Sequence, residues 1–244
     1  MIRIESGDIF IADAHYSQVR PQLEKFLDAL ENNELSPKQI FWMGDIFDLL
    51  VGGITPTIQQ NQSMIDRINA LPQKQYYFEG NHDFNLSDIF PNIAVYERKT
   101  HPVPARLGDK KVLLAHGDIY TPKSYERYIK TITNKTVLRL LNMCNIWGWI
   151  TNKINAYNYG KNLCTQIKNF QTITDNRLLQ YAKKDVDIII EGHFHQNISR
   201  QRSSAGIIYL NLPAFVCNQS FIIVKSETKQ IFCEQELRSS NGHR

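Results

Sequence analysis

The sequence predicts a layered α/β domain with a helical insertion. Three observations carry that expectation: apolar, β-favouring runs that end in polar clusters, helical stripes between the early runs, and a nearly all-helical stretch from Thr121 to about Asp185. The 244 residues suffice for a single domain, 1–244, with a substantial core. Hydrophobic content of 42% and charged content of 21% are ordinary for a soluble globular chain. No apolar run approaches the ~18 residues of a membrane-spanning helix. Met1 to Ala12 lacks a signal-peptide pattern, so a cytoplasmic location is expected.

Taken in order, Ile9 to Ala12, Gln39 to Met43, Tyr76 to Phe78, Val112 to Ala115 and Ile188 to Ile190 read as buried strands. Leu23, Phe26, Leu27 and Leu30 repeat at helical spacing and make one apolar stripe. Ile65, Ile68 and Leu71 do the same before Pro72. Ile207 to Leu210, Phe221 to Val224 and Ile231 to Cys233 read as antiparallel strands closing a second sheet. The scattered Cys144, Cys164, Cys217 and Cys233 form no Cys-x-x-Cys pair and read as buried, reduced thiols.

A crossover between parallel strands needs about a dozen residues, far fewer than lie between Thr121 and Asp185. The surplus, 121–185, reads as a helical insertion or lid: Ser124 to Thr133, Thr136 to Asn152, and Asn155 to Ala182 in one or two pieces. Between Thr121 and Phe170 stand eight Lys/Arg (Lys123, Arg127, Lys130, Lys135, Arg139, Lys153, Lys161 and Lys168) against one acid, Glu126. The whole chain carries only +4, so this segment is basic inside a mildly acidic remainder and suits an anionic partner.

Each early strand runs into residues that bind metals or phosphates. Asp13-Ala14-His15, Gly44-Asp45-Ile46-Phe47-Asp48, Gly80-Asn81-His82-Asp83, Ala115-His116-Gly117-Asp118 and Gly192-His193-Phe194-His195 occupy the strand ends, where ligands of open α/β sheets gather. Five of the seven histidines fall in these blocks, so a concerted site outweighs five separate structural histidines. The glycines leave room where backbone turns beside a phosphate. Carboxylate, amide and imidazole suit Mn²⁺, Fe²⁺ or Zn²⁺ without a closed thiolate site. Two such ions about 3.5–4 Å apart clamp a phosphoryl group. His101, before Pro102, and His243 in the tail read as surface residues. No Gly-x-Ser-x-Gly elbow supports an acyl-enzyme route.

These five blocks, in this order, resemble the calcineurin-like metallophosphoesterase superfamily, whose signature runs Asp-x-His, Gly-Asp-x-x-Asp, Gly-Asn-His-Asp/Glu, His, then Gly-His-x-His. The resemblance implies a four-layer αββα sandwich of two mixed sheets. It also implies a two-metal hydrolase, with Asp13, His15, Asp45 and His195 on one ion and Asp45, Asn81, His116 and His193 on the other. Asp45 would bridge the ions, and His82 would stabilise or protonate the leaving group. Asp48 and Asp118 are expected to orient ligands, and Asp83 either to fix the ring of His82 or to hold a turn.

Within that superfamily, the length, the helical insertion after His116-Gly117-Asp118 and the Gly-Asp-Ile-Phe second block resemble the UDP-2,3-diacylglucosamine diphosphatases of lipid A biosynthesis. That implies a lipid-nucleotide substrate, usually Mn²⁺, and peripheral contact with the cytoplasmic face of the inner membrane. Val137, Leu138, Leu140, Leu141, Met143, Ile146, Trp147, Trp149 and Ile150 make the middle helix apolar around more than one face. Trp147 and Trp149 suit a lipid boundary, and Lys123, Arg127, Lys153 and Lys161 a pyrophosphate or anionic lipid. The alternative is a helical hairpin packed on its neighbours with a solvated basic face. That family commonly has Arg where this chain has His82, as generic phosphodiesterases do, so a generic phosphodiesterase or nucleotidase stays open. A nuclease would bring a DNA-binding cap, for which no segment is long enough, and no nucleic-acid partner is expected. A non-catalytic scaffold would tolerate missing ligands, and none is missing.

Overall fold

The computed structural model describes residues 1–143, 147–182, 184–196, 199–201, 206–225 and 231–237. Cys144, Ile146, the side chains of Leu141 and Trp147, and His243 lie outside the described residues. In chain order the strands are β1 (Ile2–Ile4), β2 (Ile9–Ile11), β3 (Gln39–Trp42), β4 (Leu50–Val51), β5 (Lys74–Phe78), β6 (Asp83–Phe84) and β7 (Ala94–Tyr96). They continue as β8 (Val103–Leu107), β9 (Lys110–Ala115), β10 (Ile188–Glu191), β11 (Ser199–Gln201), β12 (Ile208–Asn211), β13 (Ser220–Val224) and β14 (Phe232–Glu236). The helices are α1 (Gln22–Glu31), α2 (Thr55–Ala70), α3 (Lys123–Ile132), α4 (Lys135–Met143), α5 (Trp147–Tyr159), α6 (Phe170–Tyr181) and α7 (Phe215–Asn218).

Two six-stranded mixed sheets form the body, ordered β1-β8-β9-β10-β12-β11 and β14-β13-β2-β3-β5-β7. Their central strands are apolar in continuous runs because both faces are buried. Alternate side chains go to different layers. Ile9, Ile11, Ile40, Trp42 and Tyr77 face α1 and α2, whereas Phe10, Phe41, Met43, Tyr76 and Phe78 face the other sheet. Between the sheets the rings of Phe10 and Phe41 stack at 4.3 Å, and those of Phe41 and Tyr76 at 4.9 Å. On the far side Leu178 and Tyr181 of α6 pack on Ile189 and Tyr209. Helix, sheet, sheet and helix thus make four layers.

The apolar stripe of α1 buries Leu23, Phe26, Leu27 and Leu30. Helix α2 starts with Pro56 in its first turn, where the missing N–H costs nothing, and stops at Leu71 because Pro72 disfavours the helical region before it. Leu71 is therefore the cap and not a helical residue.

Several expectations need correction. The run Ile207 to Leu210 does not join the second sheet: β12 lies in the first, parallel to β10 in register Ile188 with Ile208 and antiparallel only to β11. The other two late runs behave as expected: β13 and β14 pair antiparallel, and β13, also antiparallel to β2, joins them to the second sheet. An apolar run buried on both faces reads the same in either direction. The helix expected over Thr136 to Asn152 is split between α4 and α5, whereas Asn155 to Ala182 comes in two pieces, within expectation, the end of α5 and α6. Cys164 and Cys217 are not reduced thiols: they form a disulfide, with Cα atoms 5.6 Å apart across 53 positions. The chain following α5 folds back over α7, a meeting that no local spacing encodes. His101 is half-buried, its Nε2 donating to the Tyr96 carbonyl at 3.2 Å and its ring 5.7 Å from Phe78.

Among the described residues no helix is long and apolar enough to cross a membrane. Phe26 sits within 6.0 Å of Trp42, 5.7 Å of Phe215 and 5.3 Å of Phe221. Phe26→Ala is expected to lower unfolding stability by about 3–5 kcal/mol, read from the urea midpoint.

Candidate metal centre

The strands β2, β3 and β5 are adjacent and parallel in one sheet, as are β9 and β10 in the other. Their carboxyl ends converge at one edge, so five loops meet. Backbone bonds register them: Asp13 N donates to the Gly44 carbonyl at 3.1 Å, His15 N to that of Asp45 at 2.9 Å, and Gly192 N to that of His116 at 2.7 Å. Asp13, His15, Asp45, His193 and His195 all hold left-handed backbone, with φ between 45° and 69°. Such strain in non-glycine residues persists only where surrounding contacts impose it, and it gathers at functional sites.

Gly44, at φ 85°, has a different reason from the phosphate clearance expected of it. A Cβ there would stand 2.4 Å from His116 Nδ1, so the residue is small because the two sheets' loops touch.

Three sets of ligand atoms lie within 4.8 Å of one another: Asp13, His15 and His195; His15, Asp45 and His82; and Asp45, His116 and His193. His195 Nε2 is 3.3 Å from Asp13 Oδ1, and His116 Nε2 is 3.4 Å from Asp45 Oδ2. His15 and His195 have ring centroids 5.3 Å apart, His116 and His193 5.1 Å. Three imidazoles are held from behind. His116 Nδ1 donates to the Met43 carbonyl at 2.9 Å, His195 Nδ1 to Leu163 at 2.6 Å and His82 Nδ1 to Asp48 at 2.8 Å. That fixes the tautomer and leaves Nε2 facing inward, the usual support for a metal-binding histidine.

The donor set fits divalent ions. Asp13 Oδ1, both nitrogens of His15, Asn81 Oδ1 and His116 Nε2 are buried without a hydrogen-bond partner. Buried polar atoms are ordinarily paired; His15 Nδ1 faces Asp48, and the other four, in the loops at the strand ends, call for a ligand. The electrostatics agree. Burial opposes ionisation of Asp13 and Asp45, yet His195 beside Asp13 and His116 beside Asp45 hold both carboxyls below their usual range. Burial also opposes charge on the imidazoles, but Asp45 lifts His116 well above its ordinary value and Asp13 lifts His195 to about 9. The cluster thus demands positive charge. His15, pushed down by burial, and His193, pushed to about 4 by burial and His116, are kept neutral as ligands must be.

Of the surrounding acids, Asp48 lies against a candidate ligand and Asp83 takes the turn role, the second of its two expected ones. Asp48 Oδ1 lies 3.3 Å from His15 Nδ1, and its Oδ2 accepts from Arg20 Nη1 at 2.8 Å. Asp118 meets Arg98 Nε at 2.5 Å. Asp83 does not fix the His82 ring. It accepts from Gly80, Asp45 and Ile46 backbone N–H groups at 2.9, 3.0 and 2.6 Å and from Tyr77 Oη at 2.6 Å. It is the knot of the Asp45 loop, because a buried carboxylate goes where most donors converge.

The candidate substrate contacts lie farther out. Lys153 Nζ sits 4.3 Å over Trp149 and Lys161 Nζ 4.6 Å over Tyr157. Arg127 lines a cavity of about 600 Å³ with Arg98, Lys99 and Lys130. Lys123 opens α3 and is exposed. Among the described residues no side-chain hydrogen bond joins any of them to the cluster.

Arg20, Arg98, Arg177, Glu191 and Asn158 were not expected from the sequence. Arg177 of α6 pairs with Glu191, through Nε at 3.0 Å, and donates to the Ile119 carbonyl. Tyr181 and Tyr209 also donate to Glu191, at 2.6 and 2.9 Å. A lone acid ending the apolar run Ile188 to Ile190 signalled a buried charge needing a partner; its partner was not nameable.

A family model described as calcineurin-like phosphoesterase matches residues 9–197, more than three quarters of the chain. A Haemophilus influenzae protein named UDP-2,3-diacylglucosamine hydrolase is 26% identical over 204 residues, covering 79% of this chain and 84% of its own. A Psychromonas ingrahamii protein of that name is 24% identical over 200 residues, covering 77% and 80%. One from Histophilus somni is 32% identical over 137 residues, covering 52% and 56%.

Asp83→Ala removes the acceptor shared by the Asp45 loop. It is expected to weaken divalent-metal affinity by about 10–100-fold, measured by competition with a chelating dye.

Proposed function

The chain belongs to the calcineurin-like phosphoesterase family, and from that premise we propose that it cleaves the pyrophosphate bond of UDP-2,3-diacylglucosamine, releasing UMP and 2,3-diacylglucosamine 1-phosphate. That it is a phosphoester-hydrolysing enzyme of a family implying divalent metal ions follows from the membership itself. The lipid-nucleotide substrate rests on the names of the relatives and on one observation of the chain. Leu140, Met143, Trp149 and Tyr157 are 58%, 81%, 64% and 70% exposed on consecutive helices, α4 and α5. On the same helices Leu138, Ile150 and Ile154 pack on Leu49, Val51, Ile54 and Phe84. An apolar face left in water beside a phosphoesterase site suits acyl chains or a membrane surface. In this reading 121–185 is a lid, and Lys123, Arg127, Lys153, Lys161, Trp147 and Trp149 serve the lipid and its phosphates.

Asp13, His15, Asp45 and His195 would hold one ion, and Asp45, Asn81, His116 and His193 the other, with Mn²⁺ the preferred metal. Bound there, divalent ions supply charge neutralisation at the phosphoryl group and acidify water. The chain's own groups do the rest. Asp45, whose Oδ1 accepts the His82 backbone N–H at 2.9 Å, sets the third loop against the second. His82 Nδ1 donates to the Asp48 carbonyl, which leaves Nε2 toward the cluster; with the ring in its imidazolium form, Nε2 donates its proton to the departing oxygen. Water adds across the anhydride: its hydroxyl goes to the phosphorus of the UMP half, and the bridging oxygen leaves with the lipid phosphate.

His82 favours a second reading, hydrolysis of simple diesters whose alcohol leaving groups need a proton. Turnover of UDP-2,3-diacylglucosamine with Mn²⁺ is expected to exceed that of bis-p-nitrophenyl phosphate in kcat/KM; the reverse order would leave the generic diesterase. Asp45→Asn is expected to abolish turnover and reduce bound metal, and His82→Ala to lower kcat by about 10²–10⁴-fold with metal content unchanged. Near-normal activity of Asp45→Asn would remove the two-metal scheme.

A further inference from the structure

Between Asn158 and Ile167 the chain forms a strap lying across the edge of the metal centre. At one end Arg20 Nη2 donates to the carbonyls of Asn158 at 2.9 Å and Lys161 at 3.2 Å. Asn158 Nδ2 donates to the Asp48 carbonyl at 3.1 Å. At the other end the Leu163 carbonyl receives His195 Nδ1 at 2.6 Å, while Gln196 Oε1 accepts the Ile167 N–H at 2.9 Å. The residue after Leu163 is Cys164, bonded to Cys217 of α7. At the start of α7, Phe215 N and Val216 N donate to the carbonyls of Ala12 at 3.0 Å and Asp13 at 3.1 Å.

A closed circuit results. It runs from Asp13 through α7 to Cys217, across the sulfurs to Cys164, through the Leu163 carbonyl to His195, and back to Asp13 Oδ1 at 3.3 Å. We propose that the Cys164–Cys217 disulfide is a redox-sensitive positioning device for His195. It holds the Leu163 carbonyl where that oxygen orients the imidazole, and its reduction weakens metal binding at Asp13, His15 and His195 while sparing Asp45, His116 and His193. The inference rests on reading those groups as metal sites.

Two further observations support it. Cys164 and Cys217 are both exposed, and they line a cavity of about 300 Å³ together with His195 and Gln196, so a small reductant reaches the bond beside the ligand it controls. Exposed disulfides are the labile class, whereas purely structural ones resist cellular thiols. With two thiol equivalents the S–S bond breaks, each Sγ takes up one hydrogen, and the reductant departs as its own disulfide. The rest of the strap stays fastened by Arg20, Asn158 and Gln196, so the loosening is local to Leu163.

The test compares the metal-free protein in its oxidised form with the same protein after reduction by a phosphine and desalting, each titrated with Mn²⁺ against a fluorescent chelator. Two equivalents are expected to bind the oxidised protein. After reduction one should weaken by about tenfold, within the range for loss of a group supporting a ligand. The other should hold its affinity, and reoxidation should restore the first. Cys217→Ser should reproduce the reduced profile. Unchanged affinity for both equivalents overturns the proposal, as does an equal loss at both, which would mark general loosening. Ready alkylation of Cys164 and Cys217 in protein kept from reductants overturns it too. Failure of the oxidised protein to bind any divalent ion overturns the metal reading itself and is told apart by that result.

Discussion

Burying several carboxylates together is the constraint around which this protein is built. Asp13, Asp45, Asp48, Asp83, Asp118 and Glu191 are all 3% exposed or less. Each ionised group out of water needs compensation or it neutralises. Asp83 finds it in the N–H groups of a turn, Asp48 in Arg20, Asp118 in Arg98, and Glu191 in Arg177 and two tyrosines. Asp13 and Asp45 have no guanidinium among the described contacts. They face the imidazoles of His195 and His116, whose positive charge they favour against the opposition of burial. The permanent cations go to the supporting acids, and the two left facing histidines are the ones suited to exchangeable ions.

The same arginines explain how the helical segment between β9 and β10 is attached. Arg98, in the 3-10 turn Arg98–Thr100, grips Asp118 and also Glu126 of α3, at 2.9 Å. Arg20 joins Asp48 to the end of α5, and Arg177 carries α6 to Glu191 and Ile119. Each bond is partly or wholly buried, where a planar guanidinium serves two acceptors at fixed angles. The segment is therefore clamped at its polar base beside the loops that carry the ligands. Three of its most exposed apolar residues, Leu140, Met143 and Trp149, belong to the middle of the segment, in α4 and α5. A base clamped by buried arginines with an apolar outer part is the arrangement that the proposed lipid-nucleotide substrate would require.

Much of this could be read along the chain because the essential signals are local. An apolar run followed by Asp-x-His or Gly-His-x-His is a strand with donors at its end, whatever the rest of the molecule does. The stripes of α1 and α2 and the Pro72 stop are likewise properties of short windows. Even the excess helix before β10 follows from counting residues.

What stayed hidden are meetings between distant residues. The direction of β12, the disulfide joining positions 53 apart, and the choice of Asp83 to tie the Asp45 loop all depend on which chain segments arrive beside which. Neither Arg20 nor Arg177 sits in a motif; each matters because folding delivers it to an acid that has lost its water. Residue types at strand ends were legible from order alone, since the β-strand and the turn after it are short-range structures. The pairing of charges was settled only by packing, since desolvation is a property of the assembled interior and of no single stretch of sequence.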